Sequence, residues 1–201
     1  MSFYPELDEL TLQQLTARFE AEAPEGEGAL YHDELGRAIA AQGAVGVAYL
    51  WERRTLVDAE RVRAIIAGLS ASGEASRPQL LAWLHEQLGA NDPRVVAEAI
   101  DGLKNLGDAE LAGPILALTA HTSEQVRGAV LRFARVVTPD RALSPLVAAL
   151  KDPHPIVREG AADELGELGD RRARSALALA RDDVREQVRQ AIESALELLD
   201  D

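Results

Sequence analysis

Arginine is the most regularly placed reactive side chain in this sequence. Arg127, Arg158 and Arg189 recur at 31-residue intervals, each directly after a valine, and Arg63 follows Val62 in the same way upstream. A guanidinium carries a fork of N–H donors and stays charged at physiological pH, so a row of them does one of two chemistries. It ties neighbouring structural units together through carboxylates and carbonyls, or it binds anions. Because each arginine keeps step with an apolar neighbour, the tie is the expected role: Arg63, Arg127, Arg158 and Arg189 form a structural ladder, with Asp92, Asp152 and Asp183 as available acceptors. The repeated Glu124-Gln125 and Glu186-Gln187 just before two of these valines suit the positive end of a helix dipole and need no ligand.

Other reactive residue types do not converge. Imidazole is the commonest transition-metal ligand, but His32, His85, His121 and His154 are scattered, and no third and fourth ligand follows any of them at helical spacing. Cysteine is absent, which removes thiolate nucleophiles, zinc-thiolate clusters and disulfides. No Gly-x-Ser-x-Gly elbow and no glycine loop ending in Lys-Ser or Lys-Thr is present. The 34 carboxylates are spread as a solvated acidic face is, without the convergence that paired general acid and base groups need. The expectation is a non-enzymatic chain with no catalytic residue, no metal site and no cofactor.

A formal net charge of −13 repels phosphate backbones, so nucleic acid is not an expected partner. The first ten residues carry Glu6, Asp8 and Glu9 where a secretory leader would be basic and then apolar, and no run of apolar residues reaches membrane-spanning length. The expected location is the cytoplasm.

The elements that must position the arginines follow from the same interval. Val95, Val126, Val157 and Val188 are 31 residues apart, which marks a supersecondary unit copied along an axis because no single copy can bury its own apolar face. From each valine an apolar stripe runs at helical spacing: Val95, Ala99, Leu103 and Leu106; Val126, Val130, Ala134 and Val137; Val157, Ala161, Leu165 and Leu168. Helix-start signals precede them at Asn91-Asp92-Pro93, Thr122-Ser123-Glu124, Asp152-Pro153 and Asp182-Asp183. Leu106-Gly107 and Leu168-Gly169 read as helix ends where glycine takes the left-handed cap. Shorter first helices precede, over 111–118, 143–150 and 173–179, with Pro114 and Pro145 in their first turns. Upstream, Trp51 and Trp83 sit 32 apart in successive first helices, and segments 9–21 and 29–42 make one more pair around the turn Pro24 to Gly28. The total is about six antiparallel helix pairs, all-α, in one domain spanning residues 1–201.

The pattern Asp152-Pro153, Val157-Arg158, Ala161-Ala162, Leu165-Gly166, Leu168-Gly169-Asp170 resembles a HEAT-like repeat of the short bacterial kind, the type associated with phycobilisome lyases. The resemblance is clear over 90–198, partial over 58–88, and over 1–55 rests on helix rhythm alone. It implies a right-handed α-solenoid whose second helices line the concave side, binding a partner protein as a scaffold or adaptor. Two alternatives stay open: a lyase or chaperone accessory subunit that handles a chromophorylated protein, and a nucleic-acid-binding HEAT-like protein. Phe133 to Thr138 departs from the Leu-Gly-x-Leu-Gly ending, and what differs between copies is where binding is to be sought. Arg132, Phe133 and Arg135 make the candidate basic and aromatic spot, bordered by Asp101 and Asp163. The acidity of the whole favours a partner protein with a basic surface, and the oligomeric state is left open.

Overall fold

The structure, a computed structural model, describes residues 3–22, 29–56, 58–73 and 75–200. Twelve α-helices and no strand occur among them. The chain order is α1 (Leu12–Glu20), α2 (Ala29–Ala40), α3 (Ala44–Glu52), α4 (Ala59–Ala71), α5 (Arg77–Gln87) and α6 (Pro93–Asn105), then α7 (Ala112–Ala117), α8 (Glu124–Val137), α9 (Pro139–Ala149), α10 (Pro155–Leu168), α11 (Arg174–Leu179) and α12 (Glu186–Leu198). They form the first and second helices of successive pairs in an all-α solenoid fold. The turn expected at Pro24 to Gly28 lies outside the described residues.

The contacts gather into two compact units, Met1–Leu106 and Gly107–Asp201. In the first, α4 packs against both α2 and α6; in the second, α10 packs against both α8 and α12. Within each unit the second helices therefore stack on one another, as their apolar stripes require. In the second unit Leu165, Ile192, Leu146 and Leu177 are fully buried, each contributing roughly 1.5–3 kcal/mol of transfer free energy.

Local chemistry sets the helix ends. Thr11 and Gln14 close a capping box on α1, while Asp58, Asp92 and Ser123 accept from backbone N–H groups two residues on. Gly107 and Gly169 take positive φ, 63° and 69°, the left-handed conformation that a helix end reaches without penalty only at glycine. Trp51 and Trp83 meet edge to face with ring centroids 5.9 Å apart.

Two expected boundaries shift. Asp152 and Asp183 are not N-caps, because α10 and α12 begin three residues later; each instead accepts from the N–H two residues on, His154 at 2.8 Å and Arg185 at 2.9 Å, and so tightens the preceding turn. Pro145 is not in a first turn, because α9 starts at Pro139. Thr138 ends α8 and opens α9 with no loop between them, so the copy that lacks the Leu-Gly ending turns on a threonine at φ −131° and ψ 55° in place of a glycine.

Candidate functional site

In the second unit Arg127 and Arg158 make the same set of bonds one repeat apart. Arg127 Nη1 donates to the carbonyls of His121 and Thr122, at 2.8 and 3.0 Å, while Nε and Nη2 reach the Asp152 carboxylate, both at 2.7 Å. Arg158 Nη1 donates to the carbonyls of Asp152 and Pro153, at 2.9 and 3.3 Å, while Nε and Nη2 reach Asp183 at 2.7 and 2.9 Å. Arg189 Nη1 donates to the Asp183 carbonyl at 2.7 Å. Each aspartate thus takes one arginine on its carboxylate and the next on its carbonyl, which links α8, α10 and α12 through bidentate, largely shielded ion pairs. Arg158 holds the Asp183 carboxyl below the usual carboxylate range. At Asp152 burial is the largest single influence and pushes the other way, but the Arg127 hydrogen bonds and charge together with the His154 N–H outweigh it and the carboxyl is again held low.

Arg63 does not join this arrangement. In α8, α10 and α12 the arginine is the fourth helical residue, whereas in α4 it is the fifth, because α4 starts at Ala59; one residue rotates it by about 100°. Arg61 takes over the bonding to carbonyls, donating to Phe19, Glu20 and Ala21 at the end of α1. Asp92 is no ladder acceptor either, being held by Arg94 of its own helix at 2.7 Å.

Arg63 instead enters a largely buried polar cluster. Its Nη2 lies 2.8 Å from Asp33 Oδ2 on α2 and 3.7 Å from Glu98 Oε2 on α6. Asp33 is 7 % exposed and its Oδ1 has no hydrogen-bond partner. Burial raises the Asp33 carboxyl despite Arg63, and burial together with Asp33 and Asp101 pushes Glu98 up to about 7. Beside them His32 is buried and neither ring nitrogen has a hydrogen bond, Nδ1 standing 3.7 Å from Glu60 Oε2; burial lowers its pKa against the pull of Glu60 and favours the neutral ring.

The residues expected to bind a partner are not brought together as one spot. Phe133 is 0 % exposed: it points from α8 into the core and offers no surface, which corrects its assignment as a binding aromatic. Arg135 is ion-paired with Glu164 on α10, so its charge is locally balanced. Arg132 lies over Gly128 of its own helix. Asp101 pairs with Lys104 at 3.1 Å. Asp163 is exposed, and its carboxyl is raised by partial burial and by the neighbouring Glu159, Glu164 and Glu167. The surface of α10 is thus a stripe of mutually repelling acids.

The second unit is also where the chain meets known proteins. Residues 111–197 match the family model of HEAT repeats. Residues 111–197 carry HEAT-like repeats. Solved structures with the same fold include a designed armadillo repeat protein in complex with the peptide (KR)4, at TM-score 0.56 and 17% identity over 94% of this chain and 100% of that one. A crystal structure of an engineered protein from the Northeast Structural Genomics Consortium aligns with TM-score 0.55, 17% identity, over 94% and 96% of the two chains. A second designed armadillo repeat protein aligns with TM-score 0.50, 17% identity, over 94% and 100%. No curated protein matches.

Within the 31-residue register, the polar cluster of the first unit has a sequence signal that the spacing of arginines alone misses. Glu98 occupies the position held by Ala129, Gly160 and Ala191 in the later second helices. An acid among alanines and glycine on a helix flank marks a departure from the repeat. Asp33 and His32 carry no such signal, because α2 has no clear register with the other copies.

Proposed function

We propose that this HEAT-like protein is a non-enzymatic binding scaffold that holds a basic segment of a partner protein along the exposed face of its second helices, the concave face in a solenoid of the implied kind. The observation that carries this reading is the acid stripe Glu159, Asp163 and Glu167 on α10, in which partial burial and the charges of Glu159, Glu164 and Glu167 raise the Asp163 carboxyl. Arg135, the cation expected to balance that region, is already committed to Glu164. An overall charge of −13 adds long-range attraction for a basic surface. The alternating Lys-Arg peptide held by the designed armadillo repeat protein is an occupant of the same chemical class on the same fold.

The test is fluorescence anisotropy with a labelled (KR)4 peptide and a glutamate-rich peptide of equal length at low salt. Preferential binding of the basic peptide is expected, weakened by replacing Glu159, Asp163 and Glu167 with neutral amides. Equal or absent binding of the two peptides would sink the reading.

A further inference from the structure

We propose that Asp33, Arg63 and Glu98 form an incomplete ion cluster that takes one lysine or arginine side chain of the basic partner as its anchor, a proposal that rests on the function proposed above. The cluster sits wholly in the first unit, on α2, α4 and α6. Two carboxylates lie against a single guanidinium, with Arg37 acting on both only through its charge, so when both are ionised the cluster is short of one positive charge and of the donors that would come with it. Arg63 Nη2 serves Asp33 at 2.8 Å and stands 3.7 Å from Glu98, too far for a hydrogen bond. Asp33 Oδ1, on a residue 7 % exposed, accepts no hydrogen bond. Burial and neighbouring charge, not hydrogen bonding, set the state of Glu98. His32 does not supply the charge, since burial favours its neutral ring.

A buried acid without donors weakens a fold, and the repeat itself shows that none is needed here: the equivalent residues are Ala129, Gly160 and Ala191. The side chains of Glu98, Arg63 and Asp33 keep 17%, 14% and 10% of their surface, so the cluster opens narrowly to solvent, most at Glu98, while Asp33 Oδ1 is itself covered. That is the geometry for a long stem with a cationic tip. A lysine or arginine side chain reaches past Glu98 with its methylenes along apolar surface and places N–H donors between the two carboxylates.

Binding of a cation there ionises Glu98, whose carboxyl burial pushes up to about 7 in the empty site, so one proton leaves as the basic side chain enters. The other groups that face it are Asp33 and Arg37 from α2, Glu60 and Arg63 from α4, and Asp101 with Lys104 on α6 itself; α5, packed on α6, carries Arg77, His85 and Glu86.

The experiment titrates the full chain and its Glu98→Gln and Glu98→Ala variants with labelled (KR)4 between about pH 5.5 and about pH 8.5. For the wild type, affinity rises with pH, by up to about tenfold per unit below pH 7, and levels off above it. Both variants bind at least about tenfold more weakly at about pH 8 and lose most of the pH dependence. Affinity is read on the folded fraction, so a change of stability leaves the measured constant unaffected. Wild-type affinity and pH profile retained in both variants overturn the anchor while leaving the basic-partner reading intact. No binding by the wild type overturns both.

Discussion

Arg158 shows how much one side chain decides. Its guanidinium holds two carbonyls of its own turn and both oxygens of Asp183 in the next, so Arg158→Ala leaves a shielded carboxylate with no cation bonded to it and only the Arg185 N–H as donor. The expected loss is about 2–4 kcal/mol in chemical denaturation, with affinity for a basic peptide unchanged. Stability retained while binding disappeared would make Arg158 a binding residue. Asp152 and Asp183 have folded pKa values below their unfolded ones, so their contribution is complete above the ordinary carboxylate range and is lost as pH falls through the depressed folded values. Glu98 has the opposite sign. Its folded pKa, about 7, exceeds the reference 4.5, so the folded state binds the extra proton between those values and the ionised form weakens the fold above pH 7. Glu98→Ala should therefore raise stability by about 1–2 kcal/mol at about pH 8 and by almost nothing at about pH 5, as denaturation at the two pH values would show. A drop in stability at the higher pH would mean that Glu98 packs or pairs better than its surroundings indicate.

Helix spacing is set by where side chains are missing. A Cβ at Gly36 on α2 would lie 2.0 Å from the Ala64 carbonyl oxygen, and one at Gly68 on α4 would lie 2.4 Å from the Gly36 carbonyl oxygen. Neither backbone can yield without pushing the helices apart, so Gly36→Ala and Gly68→Ala should each cost about 3 kcal/mol or more and lower the melting temperature accordingly. Gly160 on α10 is the control: a Cβ there meets nothing within 4 Å, and Gly160→Ala should stabilise by about 0.5–1 kcal/mol through helix propensity. The close approach of α2 and α4 also explains the polar cluster, since it brings residues of α2 within reach of Arg63 on α4. α8, α10 and α12 are joined instead by the Arg127 and Arg158 ladder through their N-terminal turns.

For the molecule as a whole, charge governs the proposed encounter. With a net −13 the attraction of a basic peptide is long-ranged at low salt, and screening shortens it from about 10 Å at 0.1 M to about 3 Å at 1 M. Affinity for (KR)4 should fall at least about tenfold between about 50 mM and about 500 mM salt, measured by the same anisotropy titration. A salt-independent affinity would point to an apolar contact in place of the acid stripe and the first-unit cluster. Among the described residues no helix is long and apolar enough to cross a membrane.

The 31-residue interval and the apolar stripes were enough, from sequence, to reach an all-α repeat fold, because periodic burial is written directly into periodic residue types. Asp152 and Asp183 stand one period apart after a period with His121, whose Nδ1 accepts from Ser123 N–H at 3.0 Å as the aspartates do from their own turns, so even the ladder turns have a readable register. Phe133 lies seven residues after Val126 and three after Val130, so its burial was legible in the spacing; the lost Leu-Gly ending beside it is a sharper turn into α9, not an opened face. The separation of Arg63 from the other arginines came from a single-residue change in where α4 begins, and the meeting of Asp33 with Glu98 from two helices joined by contact at glycine. Such juxtapositions depend on helix rotation and axis spacing, which one-dimensional periodicity does not carry, and they were decided only in the tertiary structure.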